Sequence, residues 1–199
     1  MALTRWHHDV VLEDGTVYPL RHRLENGPEY GAVSGRALGL TAGQSRNGTA
    51  VHELGHALVW LAGGLHVTGL AVGTEPGGRA QCTLLTHTPE HRAARVIGIV
   101  AGERAVDRWL RETGLWTPSL AAMAELEAAH DRALVLDAAR PRPAFGDGGP
   151  DYSDLHHLAD QALDTIWDRL LTALPVLVRD GEMTGDRLAA RTGLTNPSL

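Results

Sequence analysis

The stretch His52-Glu53-Leu54-Gly55-His56 constrains this chain more than any other part of it. It falls inside Thr49–Ala62, where Val51, Leu54, Leu58, Leu61 and Ala62 recur at helical spacing and Gly63-Gly64 supplies a stop. On a helix, residues four apart are rotated from each other by only about 40°. Both imidazoles can therefore reach one Zn²⁺ at about 2.0–2.1 Å, with Glu53 beside them for proton transfer. On a strand the two rings would stand too far apart. With eleven His and eleven Glu in 199 positions, chance gives this pattern about 0.03 times. The helical setting makes a coincidental polar face rarer still.

Two histidines do not complete a catalytic zinc site, which needs a third ligand and an open position. The extended H-E-x-x-H-x-x-G-x-x-H pattern is absent, because Val59 and Ala62 occupy its Gly and His positions. The third ligand must come from elsewhere. Spacing leaves Glu75, Glu90, Glu103, Asp107, Glu125, Glu127, Asp151 and Asp154 open, together with His130, His156 and His157. Asp154 follows a Gly/Pro loop that could deliver it to a cleft, although an acid at a helix start more often serves the helix itself.

The rest of the chain reads as an α+β fold, mostly α-helical, with two small β-hairpins. Val10, Leu12, Val17 and Leu20 flank Asp14-Gly15, a hairpin signal. A second hairpin is expected from Leu65–Gly73 and Arg79–Leu85 about the turn Glu75-Pro76-Gly77-Gly78. Residues 26–48 read mainly as loop. Helices are expected from Pro89 to about Glu112, from Pro118 to Ala139, and from an N-cap at Ser153 onward. Between the last two, Pro141 to Pro150 form a Gly/Pro break. Val176 to Gly193 reads as a short terminal helical hairpin.

Composition removes several classes of activity. All 18 basic residues are Arg, so these residues carry no phosphate-loop Lys, kinase Lys or Schiff-base amine. A net charge of −6 argues against a nucleic-acid binder, which would carry a basic stripe. Asp186–Thr195 sounds like the start of a helix-turn-helix, but only Asn196–Leu199 remain for a recognition helix. Cys82 is the single cysteine, which excludes an internal disulfide and Cys-rich zinc sites. No apolar run approaches a membrane span of about 18–20 residues and no secretory signal is visible, so a soluble cytoplasmic protein is expected.

Thr49–Val59 resembles the active helix of the FtsH-type ATP-dependent zinc metalloproteases, whose pattern is A-x-H-E-A-G-H-A. Three further stretches resemble the family in order. Val67–Val72 with its Gly-rich turn is similar to the post-helix hairpin, and Ala101–Asp107 to the G-G-R-x-A-E helix. Asp154-Leu155 is similar to the D-L whose Asp is the third zinc ligand. The tail Gly181–Asp186 also resembles the family's closing segment. The resemblance spans roughly residues 46–191 of one zincin-like domain, 1–199. Residues 1–45 form an N-terminal extension, and the helix of about 118–139 is an insertion. Leu54 stands where the family has Ala, and Pro150-Asp151 where it has Gly-Ala.

The resemblance implies a zinc metallopeptidase with His52, His56 and Asp154 as Zn²⁺ ligands, Glu53 as general base on the zinc-bound water, and Asp107 in reserve as ligand or supporting acid. Its substrates would be peptides or unfolded proteins, with any ATP-driven unfolding left to a separate ATPase partner. His66, His87, His91, His156 and His157 are further candidates to stabilise an oxyanion, against the usual surface role of surplus histidines. Two other readings compete: a catalytically silent zinc-binding regulatory domain, and a zinc hydrolase of non-peptide amides. Glu53 speaks against the first, since a purely structural zinc site has no use for a base.

Overall fold

The fold was analysed in a computed structural model, which describes residues 8–11, 17–20, 35–36, 38–73, 78–83, 88–128, 130–132, 134–135 and 152–199. Strands β1 (His8–Val11) and β2 (Val17–Leu20) pair antiparallel with Val11 opposite Val17, as the Asp14-Gly15 signal requires. That turn itself lies outside the described residues. So do residues 26–34, most of the turn at Glu75–Gly78, and the Gly/Pro break of 141–150.

Helix α1 (Ala42–Ala62) carries the H-E-x-x-H motif and starts seven residues before the expected Thr49. A capping box sets that start: the Thr41 side chain accepts from the Gln44 backbone N–H, while the Gln44 side chain accepts from the Thr41 N–H. Ser, Asn and Gly in the first turns hide the helical period, and the caps override their weak propensity. Strands β3 (His66–Val72) and β4 (Gly78–Thr83) form the expected second hairpin. Helix α2 (Pro89–Glu112) matches its expected span and is capped by the Thr88 hydroxyl.

Three further elements differ from what the sequence predicts. Helix α3 (Pro118–Glu127) is capped at Ala128, and residues 130–132 and 134–135 are helical again, with the Arg132 N–H bonded to the Ala128 carbonyl at 3.0 Å. Residues 136–139 of the expected helix lie outside the description. Helix α4 (Tyr152–Asp180) runs straight through Pro175, with Ser153 in its first turn rather than at its cap. Pro175 is exposed and the next two residues, Val176 and Leu177, are buried. Core burial of that next turn outweighs the hydrogen bond that the proline removes. Finally, the tail is a strand and a helix, not a helical pair. Gly181, at φ 81°, ends α4, and β5 (Glu182–Thr184) then joins β3 with Met183 opposite Leu70. Helix α5 (Gly185–Thr192) follows, closed by left-handed Gly193.

The three-stranded sheet has the order β4-β3-β5, all antiparallel. Helices α1, α2 and α4 pack mutually, and α1 also packs on β3 and β4. The core is built from α1 (Val51, Leu54, Leu58), α2 (Val100, Ala105, Leu110) and α4 (Leu163, Leu170, Leu177), closed by Val67 and Leu188. Close approach of α1 and α2 depends on small residues. A Cβ on Gly55 would stand 2.7 Å from the Ala101 carbonyl oxygen, and one on Gly98 would stand 2.1 Å from the Trp60 ring. Among the described residues no helix is long and apolar enough to cross a membrane.

Candidate metal centre

The helical spacing on α1 brings the His52 and His56 Nε2 atoms to 2.9 Å from each other. The third donor is Asp131, from the helical segment after α3. Its Oδ2 lies 3.0 Å from His52 Nε2 and 3.3 Å from His56 Nε2. Among the described residues this is the one group of three potential ligands whose atoms converge. Three donors held about 2.0–2.1 Å from a tetrahedral zinc stand about 3.3–3.4 Å apart. The triangle of 2.9, 3.0 and 3.3 Å needs only a few tenths of an ångström of expansion to receive the ion.

Neighbouring groups set the aim of His56. Its Nδ1 donates to the Gly98 carbonyl at 2.8 Å. A carbonyl only accepts, so Nδ1 carries a hydrogen and Nε2 faces His52 and Asp131, where it can bind a cation once deprotonated. Trp60 stacks on His56 at 5.4 Å between ring centres and is itself held by an Nε1–H bond to the Arg95 carbonyl. Gly102 on α2 leaves room for both rings: a Cβ there would stand 2.4 Å from His56 Cε1 and 2.8 Å from His52 Cε1. The donor set, the fixed ring and the glycine cradle all fit a zinc-class cation.

Charge is arranged to match. Burial alone would lower the His56 pKa, but the hydrogen bond and charge of Asp131 outweigh it and push it up to about 9. Burial would likewise raise Asp131, yet the two imidazoles hold its carboxyl far below the usual range. In the metal-free protein Asp131 thus favours a proton on His56, which a cation would displace. Glu53 is 5% exposed. Burial raises its pKa and the two imidazoles partly offset that. Its carboxyl packs beneath β4, where a Cβ on Gly78 would come within 2.6 Å of Oε1.

These residues line a cavity of about 900 Å³. Its wall is polar at His52, Glu53, His56 and Asp131 and apolar at Leu40, Val106, Trp109, Leu110 and Met123. It opens to solvent.

The other sequence candidates are placed elsewhere. Asp154 is exposed in the first turn of α4 and is outside the converging group. Asp107 is buried with its carboxylate taken up by Arg111 at 3.0 and 3.2 Å, Trp116 Nε1 at 2.9 Å and Arg104 at 3.4 Å. Although burial opposes ionisation, these donors hold its pKa below the usual range. Glu103, Glu125 and His156 are buried in an ion-pair network on the far side of Gly102. Glu127 and His130 line the cavity outside the triad. Glu90 is exposed at the start of α2, and His157 is exposed and bonded to Gln161. His66 bonds the Pro197 carbonyl at 2.7 Å, and His91 lies in the first turn of α2. Glu75, His87 and Asp151 lie outside the described residues.

Asp131 is the residue that sequence reasoning missed. It sits inside an Ala- and Leu-rich stretch that reads as one continuous helix, with no spacing relation to the histidines. Its neighbours His130 and Glu127 were candidates by residue type; Asp131 is set apart by its contacts with His52 and His56 on α1.

The chain matches no protein-family model, and no curated protein is similar to it in sequence.

Proposed function

We propose that the protein is a zinc-dependent hydrolase that cleaves peptide bonds, with His52, His56 and Asp131 as metal ligands and Glu53 as general base and acid. The observation that carries this reading is the convergence of three donor atoms within 3.3 Å beside a buried carboxyl in an open cavity. The resemblance of the α1 motif to the FtsH-type peptidases supports the same chemistry, with Asp131 taking the role that the resemblance gave to Asp154.

A zinc ion bound there would supply Lewis acidity toward a carbonyl oxygen and acidify water. His52, His56 and Asp131 would hold the ion as its three protein ligands. Glu53, kept from solvent with a raised pKa, takes up the proton of the attacking water and passes it to the leaving nitrogen. The apolar wall of Leu40, Trp109 and Met123 receives a substrate side chain and limits water around the reacting bond. With no lysine for a phosphate loop in these residues, the substrates are flexible peptide segments or proteins unfolded by a separate ATPase partner.

Metal analysis together with digestion of folded and unfolded protein substrates tests the proposal. Stoichiometric zinc with chelator-sensitive cleavage is the expected result. Full zinc without cleavage of any peptide or protein would replace it with a silent zinc domain. Cleavage confined to small non-peptide amides would keep the hydrolase and change the substrate.

A further inference from the structure

Asp131 and Gly102 both belong to the candidate metal centre, and the residue that follows each in sequence turns away from it. Arg132 and Glu103 meet on the far side. The guanidinium donates Nε to Glu103 Oε2 at 2.8 Å and Nη2 to Oε1 at 3.1 Å, a two-point pairing. The side chains are 1% and 3% exposed. His156 on α4 presents Nε2 to Glu103 Oε1, and Glu125 on α3 stands 3.6 Å from Arg132 Nη2. One guanidinium therefore ties the segment that carries Asp131 to α2 and α3, and through Glu103 to α4.

The segment needs such a tie. A backbone bond from the Arg132 N–H to the Ala128 carbonyl at 3.0 Å joins it to the end of α3, and among its described residues only Arg132 and Val135 are buried. Successive helical residues point about 100° apart, so a slip of one position would turn His130 or Arg132 toward the histidines in place of Asp131. Apolar contact is non-directional and does not prevent a slip. A planar two-point ion pair fixes both depth and rotation.

We propose that Arg132, paired with Glu103, is a positioning residue that sets the register of Asp131 at the metal centre. This rests on the reading of His52, His56 and Asp131 as metal ligands. Residues that orient a ligand in this way typically change metal affinity 10- to 100-fold when replaced.

The test is Zn²⁺ affinity by chelator competition, together with the visible spectrum of the Co²⁺-loaded protein. Both are measured on the wild type, Arg132→Met, Arg132→Lys, the neutral pair Glu103→Gln/Arg132→Met, Asp131→Ala and Asp131→Ala/Arg132→Met. The expected results are a loss of about tenfold or more in Zn²⁺ affinity and an altered Co²⁺ spectrum for both Arg132→Met and the neutral pair. The neutral pair leaves neither the Glu103 nor the Arg132 charge buried alone, so it reports on register even where Arg132→Met fails to fold. Arg132→Lys, which keeps the charge without the two-point geometry, should fall between wild type and Arg132→Met. On the Asp131→Ala background Arg132→Met should cost no further affinity, because its effect passes through Asp131. Wild-type affinity and spectrum in the folded neutral pair, or losses that add on the Asp131→Ala background, would overturn the proposal. A wild type that binds neither ion would overturn the ligand assignment itself and this inference with it.

Discussion

His56 Nδ1 lies 2.8 Å from the carbonyl oxygen of Gly98, a bond between α1 and α2 buried at both ends. It fixes the ring that meets His52 and Asp131, and it exists because Gly98, Ala101, Gly102 and Ala105 let the two helices touch. The candidate metal centre is thus a product of the helix crossing as much as of the motif.

The two candidate third ligands make opposite predictions. Asp131→Ala should lower zinc affinity by at least tenfold, since it removes one of three donors. Asp154→Ala, at an exposed position, should leave affinity within about twofold and cost at most about 0.5 kcal/mol of stability. Isothermal titration of the two metal-free variants separates them. Tight stoichiometric zinc in Asp131→Ala would remove that residue from the ligand set.

Glu53→Gln keeps nearly the same shape but can no longer accept a proton. Zinc content should stay at one equivalent while peptide hydrolysis falls by about 10²–10⁴-fold. Metal analysis and a fluorogenic peptide assay on the same preparation check both halves.

Gly102→Val tests the cradle. Its added carbon would stand within 2.8 Å of both histidine rings, so the rings must turn off the Asp131 side. Zinc affinity should drop by more than tenfold, with a loss of about 1–3 kcal/mol from overpacking. Gly43→Ala on the same motif helix meets nothing within 4 Å and should instead stabilise the protein by about 0.5–1 kcal/mol. Urea melts of both variants, taken with zinc titrations, give the comparison.

Acid should loosen the far side of the site first. Burial opposes the Glu103 charge, but His156 and Arg132 outweigh it and hold its folded-state pKa well below 4.5. A depressed carboxyl stabilises the fold at pH values above its unfolded pKa, and the contribution is lost as pH falls through and below about 4.5. Glu103→Gln should therefore be less stable than wild type near pH 7, by about 3 kcal/mol, because Arg132 loses its two-point partner. That gap should shrink steadily below pH 4.5. Thermal melts of the metal-free proteins from pH 7 to pH 3 would show it; a gap independent of pH would contradict it.

Periodicity and end signals in the sequence were enough to locate α2, both hairpins and the motif face of α1. These depend on neighbours within a few residues: Thr88-Pro89 opens α2, Asp14-Gly15 turns the first hairpin, and four residues on a helix return His56 to His52. Residue type also singled out Glu53, and the absence of lysine removed phosphate-loop chemistry. The third strand was not legible, because Glu182-Met183-Thr184 is too short to alternate and gains its pairing only from Leu70 across the sheet. Nor was Asp131. Whether a carboxylate meets a histidine pair 79 residues away is decided by how its segment packs, Arg132 included. The motif pairs two histidines because helix geometry is local; the third converging donor comes from tertiary packing, which alone brings separate segments to one point.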